Sequence, residues 1–344
     1  MAALHNRVNK EELKKRMEED STPRTTISFY KYVHLTDPQA FRDEMYRAFY
    51  AIGVMGRIYV SYEGVNAQIS VPSANFEILK TWIFNHQFLG KIRLNEAVEN
   101  DDHSFYMLKI KVRDKIVADG LDDKSFDVTD KGVHLDAKAF NELTSNPDTI
   151  VVDMRNHYET EVGYFENAIT PPVETFREAL PYVIDLLADS KDKPVVMYCT
   201  GGIRCEKASA YLKHKGFKDV YQLNGGIINY AHQVEQQELE NKYKGKNFVF
   251  DDRLGEAISK EILSSCHQCG EPCDTHVNCA QPSCHILFIQ CKNCAEEMEH
   301  TCSPECRDIM RLPEEERAEA QAKLPEIGIN HYNPEIHKGR VRKG

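Results

Sequence analysis

The chain has 344 residues, and its 43 lysines and arginines against 54 aspartates and glutamates give a formal net charge of −11. This length predicts two or three domains. The acidic balance excludes a surface that is basic overall, so DNA is not an expected partner and any RNA contact must come from local basic patches. The first residues carry no apolar signal segment, and no apolar run reaches membrane-spanning length, which predicts a cytoplasmic protein without a membrane partner.

Residues 1–24 are predicted to form a charged helical arm, and residues 25–120 a ferredoxin-like domain. In the second segment, strand-like runs alternate with helices in an order typical of this fold. Asp37 followed by Pro38 indicates the start of the first helix, because aspartate caps helices and proline fits their first turn. The predicted strands lie at 27–33, 57–62, 67–71, 92–94 and 107–112, and the second helix lies at 73–85.

Residues 121–246 predict a parallel sheet with helices on both faces, because short buried strands alternate with helices. The predicted strands lie at 150–153, 195–198 and 220–223, with one helix at 174–187 and another that follows Cys205. Ligands collect at the carboxyl ends of the strands in such sheets. The acidic segment 119–130 is short of apolar residues and is interpreted as the linker to the preceding domain.

A short loop joins the strand at 195–198 to the helix after it, and Cys199 begins this loop. Backbone N–H groups and the positive end of the helix converge there, which favours the thiolate, the nucleophilic form of cysteine. Arg204 adds a permanent positive charge. We therefore expect Cys199 and Arg204 to be catalytic. The remaining loop residues would form the cradle for a substrate, and these are Thr200, Gly201, Gly202, Ile203 and Cys205.

Residues 247–310 are predicted to form a cysteine-rich module, because nine of the eleven cysteines lie between Cys266 and Cys306. Without a secretion signal, this density indicates metal or redox chemistry. Zinc-ribbon spacing predicts a structural zinc site formed by Cys266, Cys269, Cys291 and Cys294. A second site would draw on Cys273, Cys279, Cys284, Cys302 and Cys306 with His276 or His285. Reduced thiols or disulfides that pack a small domain are the alternative, and residues 311–344 are predicted to be a charged tail.

Four residues separate Cys199 from Arg204, a spacing that resembles the active-site loop of rhodaneses, whereas Cys-dependent phosphatases have five. Asp153-Met154-Arg155-Asn156 resembles the first rhodanese signature, and Leu223-Asn224-Gly225-Gly226 resembles the closing turn of that family. Within the first signature, Asp153 and Arg155 are expected to hold structure. The resemblance implies that residues 121–246 form a rhodanese domain.

The whole arrangement is more specific than a rhodanese domain alone. A ferredoxin-like domain with Glu63-Gly64-Val65-Asn66, the Cys199 loop and the cysteine-rich module together resemble the rhodanese-type, oxygen-dependent tRNA uridine hydroxylases of bacteria. This resemblance implies hydroxylation of the wobble uridine at ring carbon five, the first step toward 5-alkoxy-uridines. It implies molecular oxygen as co-substrate, the anticodon loop of tRNA as partner and Cys199 as the persulfide-type active-site cysteine. No nucleotide-cofactor fingerprint is evident.

Cys199 has two possible chemical roles in such a reaction. Its thiolate would add to carbon six of the uracil and make carbon five nucleophilic, or a Cys199 persulfide would take part directly in redox. Cys205 is either a resolving thiol or a helix residue that faces the core. A sulfurtransferase that passes persulfide sulfur to an acceptor is the alternative function, and a binding module without activity is the third. The oligomeric state is not specified.

Contacts to tRNA require cations for phosphates and aromatic rings for bases. One basic set follows the Cys199 loop and comprises Lys207, Lys213, His214, Lys215 and Lys218. A second set lies in the N-terminal domain and comprises Lys109, Lys111, Arg113 and Lys115. The basic segment 337–343 is a third candidate, although a flexible solubilising end is the favoured interpretation. Tyr62 and Tyr158 could stack on the base, with packing the favoured role for both.

Overall fold

The computed structural model describes residues 9–99, 103–121, 125–322, 330–334, 337 and 341. In the N-terminal region the helices are α1 (Lys10–Glu19), α2 (Pro38–Ala51) and α3 (Phe76–Asn85). The strands there are β1 (Arg24–Tyr32), β2 (Met55–Ser61), β3 (Gly64–Pro72), β4 (Asn95–Glu96) and β5 (Leu108–Val112). Within the predicted arm at 1–24, residues 1–8 lie outside the described part of the chain.

The N-terminal strands form one sheet in the order β4-β1-β3-β2-β5, in which β5 runs parallel to β2 and the other pairs are antiparallel. Helices α2 and α3 cover one face of this sheet, and a core that includes Ile27, Ile58 and Ile69 lies between them. Asp37 caps α2 by accepting a hydrogen bond from the Ala40 N–H. The ferredoxin-like prediction is confirmed.

The predicted strand at 92–94 is wrong in position. The chain pairs with β1 only at Asn95 and Glu96, through Ser28 and Ile27. Ile92 instead packs into the core under the sheet, and its N–H bonds to the Gly90 carbonyl in a tight turn. Its apolar character therefore reflects burial in a loop, not membership of a strand.

The central region contains helices α4 (Ala137–Thr144), α5 (His157–Thr160), α6 (Phe176–Leu186), α7 (Ile203–His214) and α8 (Gly226–Gln237). Its parallel sheet has the order β6-β10-β9-β7, formed by β6 (Val133–Leu135), β7 (Ile150–Asp153), β9 (Val195–Tyr198) and β10 (Val220–Leu223). A separate antiparallel sheet joins β8 (Gly163–Phe165), β11 (Tyr243–Asn247) and β12 (Glu256–Ala257).

Two apolar layers cover the faces of the parallel sheet. One contains Leu180 of α6 and Leu212 of α7 against Val195 and Met197. The other contains Phe140 of α4 and Tyr230 of α8 against Val196 and Tyr198. Because adjacent residues of β9 point to opposite faces, both faces are buried, and the predicted parallel sheet with helices on both sides is confirmed.

The C-terminal region is built on a short hairpin, β13 (His276–Asn278) and β14 (Leu287–Ile289), followed by α9 (Lys292–Glu297), α10 (Pro304–Arg311) and α11 (Glu314–Ala322). It contacts the central region through His267, whose ring bonds to Glu161 at 2.7 Å. In the described part of the chain, no helix combines the length and the apolar character that crossing a membrane requires.

Candidate active site

The loop that begins at Cys199 is held by two glycine-containing turns. Gly202 caps α7 with a φ of +98°, a conformation that residues with a side chain rarely adopt, and a Cβ there would lie 3.0 Å from the Tyr30 hydroxyl. Gly226 lies so close to the Cys199 carbonyl group that a Cβ atom added at position 226 would be 2.4 Å from the carbonyl oxygen. The N–H of Ile227 bonds to that oxygen at 3.0 Å. The closing Gly-Gly turn thus packs directly beneath the loop.

Cys199 is fully buried, and its sulfur accepts a hydrogen bond from the Gly202 N–H at 3.1 Å. Burial alone would raise the pKa of this thiol. The hydrogen bond from the Cys205 side chain, the charge of Arg204 and the backbone N–H groups of Arg204 and Cys205 outweigh burial and lower the pKa of Cys199 to about 6. This lowered pKa favours the thiolate at neutral pH, the reactive form of cysteine.

Cys205 lies in the first turn of α7 and is fully buried in the apolar layer shared by α6 and α7. Burial and its hydrogen bond to the Cys199 thiolate raise the pKa of Cys205 well above its usual value. Cys205 is thus a protonated donor to Cys199. It faces the core, one of the two placements that the sequence left open, while its sulfur still contacts the Cys199 sulfur.

Arg204 does not point freely at a ligand, since both its terminal nitrogens bond to Glu159 at 2.6 and 2.7 Å. Burial opposes the charge of Arg204, yet the Glu159 carboxylate raises the pKa of the guanidinium above its usual value. A weaker bond of 3.4 Å reaches the Thr200 hydroxyl. Arg204 also lines the cavity described next. Glu159 is a site residue that the sequence analysis missed, because its partner lies 45 positions away.

A cavity of about 490 Å³ opens beside Cys199, and all three regions of the chain line it. The N-terminal sheet contributes Ser28, Tyr30 and Tyr59, and the segment after β11 contributes Phe250. This volume lies within the range of small-ligand sites in proteins. Sequence reasoning placed the site at the rim of the parallel sheet but did not foresee that the N-terminal domain forms the facing wall.

Two polar side chains of that wall, Ser28 and Asn95, lie next to the Cys199 loop, and each has a buried oxygen atom without a hydrogen-bond partner among the described residues. These atoms are Ser28 Oγ and Asn95 Oδ1. The amide nitrogen of Asn95 makes a long contact of 3.5 Å to the Gly201 carbonyl. Buried polar groups are normally paired, so these two atoms are candidates for contacts to a ligand. The alternating polar residues of β1 were the available sequence signal.

Most of the predicted phosphate contacts after the loop have other partners. Lys207 is buried and bonds to Glu63 and Asp119, each at 2.6 Å, so its prediction as an RNA contact is wrong. Lys213 pairs with Asp130, and Lys218 pairs with Asp192. Lys207 is buried because the N-terminal domain and the start of the acidic segment 119–130 cover α7. That segment is anchored at Asp119, while residues 122–124 lie outside the described part.

The remaining predictions have mixed outcomes. Tyr158 is buried and stacks on His331 with ring centroids 4.1 Å apart, so packing is confirmed as its role. Tyr62 is 62% exposed. Asp153 and Arg155 form a fully buried ion pair of 2.7 Å, as expected for residues that hold structure. Of the basic segment 337–343, only 337 and 341 lie within the described residues.

The cysteine-rich module gathers its thiols into two groups of four. The first is the predicted set of Cys266, Cys269, Cys291 and Cys294, and the second consists of Cys279, Cys284, Cys302 and Cys306. Within each group the sulfurs lie within 4.8 Å of one another. Cys273, His276 and His285 are not in the second group, which corrects the wider set considered from sequence. Cys279 and Cys284 lie in the connection between β13 and β14. The turn in this connection brings the two cysteines close to Cys302 and to Cys306 of α10.

The fold and the loop define a rhodanese-like protein whose active-loop cysteine faces an additional N-terminal domain. Family models agree, since the rhodanese-like domain matches residues 136–233, the rhodanase C-terminal domain matches 244–307, and the UPF0176 acylphosphatase like domain matches 24–116. The chain is 54% identical over 334 residues to the tRNA uridine(34) hydroxylase of Yersinia enterocolitica, covering 97% of this chain and 95% of that protein. The chain belongs to the tRNA uridine(34) hydroxylase family.

Other relatives extend the same comparison. The tRNA uridine(34) hydroxylase of Yersinia pestis strain Pestoides F is 53% identical, covering 97% of this chain and 94% of that protein. Among solved structures, a rhodanese-like domain from Anabaena is 19% identical and covers 33% of this chain and 78% of that domain, with a TM-score of 0.26.

Proposed function

We propose that this protein hydroxylates carbon five of the wobble uridine, position 34, in the anticodon loop of tRNA, with molecular oxygen as co-substrate. The proposal is supported by the position of Cys199, whose pKa is lowered to about 6, in the wall of a cavity of about 490 Å³, in a chain 54% identical over 97% of its length to a tRNA uridine(34) hydroxylase. The wobble base is single-stranded, so it can turn out of its stack into such a cavity.

The polar wall of the cavity suits a uracil ring. Uracil presents an N–H donor at ring nitrogen three between two carbonyl acceptors. Asn95 Oδ1 is a free acceptor for that N–H, and the Ser28 hydroxyl is a free donor for a carbonyl. The Asn95 side-chain amide and the Ser28 hydroxyl lie beside Gly201, two residues from Cys199.

In the favoured scheme, the Cys199 thiolate forms a bond to carbon six of the ring, and the electron pair of the five–six double bond moves onto carbon five and the carbonyl at carbon four. Carbon five then bonds to an electrophilic oxygen. Loss of its proton and expulsion of the thiolate restore the double bond. Insertion of one atom of O₂ leaves the other to become water, so an external reductant must supply two electrons. A Cys199 persulfide that acts directly in redox is the second scheme.

A sulfurtransferase is the alternative function, because the same thiolate could carry a persulfide sulfur to an acceptor. Mass spectrometry of tRNA nucleosides separates the two functions. A strain that lacks this protein should lose 5-hydroxyuridine and its derivatives, the wild-type gene should restore them, and Cys199→Ser should not. Loss of thiolated nucleosides instead would support the sulfurtransferase. Hydroxylated uridine at wild-type level in the Cys199→Ser strain would refute both roles of the sulfur.

We also propose a structural zinc ion in each group of four cysteines. Sulfurs about 2.3 Å from a tetrahedral zinc ion lie about 3.8 Å from one another. Cys269 and Cys291 have their sulfurs 3.6 Å apart, and those of Cys302 and Cys306 are 3.7 Å apart. Backbone N–H groups also point at two of the sulfurs, from Cys291 to Cys266 and from Cys302 to Cys279. This donor set fits zinc, which would fix the fold of the module.

A further inference from the structure

Among the described residues, α2 and α3 cover one face of the N-terminal sheet. The opposite face is called the uncovered face because neither of these helices packs on it, and its β1 side meets the Cys199 loop and the start of α7. Neighbouring residues of a strand point to opposite faces, so residues between the buried Ile27, Phe29, Ile58 and Val60 lie on this uncovered face. The strand registers align them into two rows. One row is Asn95, Ser28, Gln68, Arg57 and Lys109, and the other is Tyr30, Asn66, Tyr59 and Lys111.

Each row begins at the Cys199 loop. Asn95 contacts the Gly201 carbonyl, and the Tyr30 hydroxyl lies at Gly202. Arg57, Tyr59, Asn66 and Gln68 continue the cavity wall. Lys109 and Lys111 follow on β5, one strand beyond. With strands about 4.8 Å apart, the rows extend about 14 Å from β1 to the β5 edge.

The far end of the rows is basic and lacks acidic partners. Among the described residues, Arg57, Lys109 and Lys111 form no ion pair, unlike Lys213 and Lys218 near the end of α7. The proximity of Lys109, together with partial burial and Arg113, lowers the pKa of Lys111. Mutual repulsion of this kind leaves the cations ready to bind anions. Lys213, by contrast, lies near the far end of a 12-residue helix whose other end carries the Cys199 loop.

Tyr59 lies between these cations and the cavity. It is 36% exposed on a central strand of the uncovered face. An exposed aromatic ring on an open four- or five-stranded sheet can stack on a nucleobase, because every base offers a flat apolar face. Arg57 lies beside it on the same strand and face.

We propose that the two rows form a platform for the RNA strand next to the wobble uridine, with Tyr59 stacked on a neighbouring base and with Arg57, Lys109 and Lys111 bound to its phosphates. The proposal rests on the tRNA substrate inferred above. It assigns the N-terminal domain the task of holding the anticodon loop while the wobble base enters the cavity. The cations concentrated along this edge would offset the repulsion between the acidic overall charge and RNA.

The test uses a fluorescent anticodon stem-loop with uridine at the wobble position. Its binding to the full-length protein is measured by fluorescence anisotropy over a range of salt concentrations. Tyr59→Ala should weaken binding about 5- to 150-fold, and Tyr59→Phe should retain it, because stacking needs only the ring. The double variant Lys109→Ala/Lys111→Ala should weaken binding and reduce the slope of log K against log salt by about 1.4.

The matched control is Arg47→Ala/Lys80→Ala, which removes two cations from α2 and α3 on the covered side of the same domain. Arg47 is exposed, and Lys80 is half-exposed and pairs with Glu77 at 3.5 Å. The binding and salt slope of this control should equal those of the wild type. The two sheet variants are Tyr59→Ala and Lys109→Ala/Lys111→Ala. If both bind the stem-loop as tightly as the wild type, or if the control weakens binding as much as they do, the proposed platform is refuted.

Hydroxylation of the stem-loop, measured in parallel, separates this inference from the proposed function. If the wild type hydroxylates and the sheet variants do so with unchanged KM, the platform fails while the function stands. If the wild type binds through the platform but forms no hydroxylated uridine under turnover conditions, the function fails and the RNA surface stands. A raised KM at nearly unchanged kcat for Lys109→Ala/Lys111→Ala would support both.

Discussion

Two regions of this molecule depend on cysteine, and they use it in opposite ways. In the loop, the Cys199 sulfur accepts a hydrogen bond from Gly202 and faces a cavity. In the C-terminal module, eight sulfurs form two groups of four. A thiolate surrounded by donors and a cation is reactive, whereas thiolates that converge on one point are ligands. Under the proposals made above, the groups that surround each sulfur, and not the residue type, determine whether a cysteine acts as a nucleophile or as a metal ligand.

The largest expected difference between the two regions is in stability. Cys284→Ser should reduce the zinc content from about two ions per chain to about one and lower the unfolding temperature steeply, since structural zinc contributes about 10 kcal/mol or more in small zinc domains. Cys199→Ser should keep both zinc ions and unfold like the wild type. Atomic emission spectroscopy and calorimetry provide the two measurements. Wild-type protein with almost no zinc would contradict the proposed ligand sets.

A second variant tests the ion pair that supports the loop. Glu159→Gln leaves Arg204 buried without its carboxylate and should destabilise the protein by about 3–5 kcal/mol. Asp192→Asn removes the partner of Lys218 on the surface and serves as the control, with no measurable change expected because solvent screens this pair. Chemical denaturation measures both. Equal effects would mean that the Arg204 pair contributes no more than a surface pair.

The third prediction concerns the ionisation of Cys199. The rate at which iodoacetamide alkylates Cys199 in the folded protein is measured as a function of pH, by mass spectrometry of the peptide that contains Cys199. This rate should rise with a midpoint near pH 6, because the protonated thiol predominates below the pKa and the reactive thiolate predominates above it. Hydroxylation should decline across the same range as the pH falls. A midpoint near the ordinary value for cysteine would refute the proposed activation of the loop.

The smallest effect should come from Cys205. Cys205→Ala removes the hydrogen bond to the Cys199 sulfur, so the pKa of Cys199 should rise, whereas Cys205→Ser keeps a donor and should raise it less. The same alkylation assay measures both shifts. Cys205→Ala that still hydroxylates would exclude Cys205 as an obligatory resolving thiol. Complete loss of activity without a pKa change would instead support that redox role.

The sequence predicted the strand–loop–helix order around Cys199 because its determinants are local. The strand, the two glycines and Arg204 lie within a few positions of Cys199, and each has its own conformational or electrostatic requirement. Glu159 and Tyr30 were not predicted, since their places at the site depend on how distant segments pack. Lys207 was misjudged for the same reason, because a lysine in a helix normally faces solvent, and here the N-terminal domain and the segment with Asp119 bury it.

The spacing of the cysteines predicted one group of four but not the membership of the other. Cys266, Cys269, Cys291 and Cys294 occur as two close pairs, and a close pair can supply two ligands from one turn. The second group combines residues separated by unequal intervals, and five cysteines and two histidines competed for its places. Only the hairpin β13–β14 and the start of α10 decide which of them meet.

The ion pairs of Lys207 have a consequence for anyone who would dissect this protein. Lys207 lies three residues after Arg204, and its charge is neutralised by Glu63 from one domain and Asp119 from the segment between domains. A rhodanese fragment cut out on its own would leave this ammonium group without either carboxylate, beside the loop that must stay rigid. The smallest unit whose chemistry can be measured faithfully therefore includes the N-terminal domain and the segment with Asp119 as well as the rhodanese domain, and the linear domain boundaries do not coincide with a functional boundary.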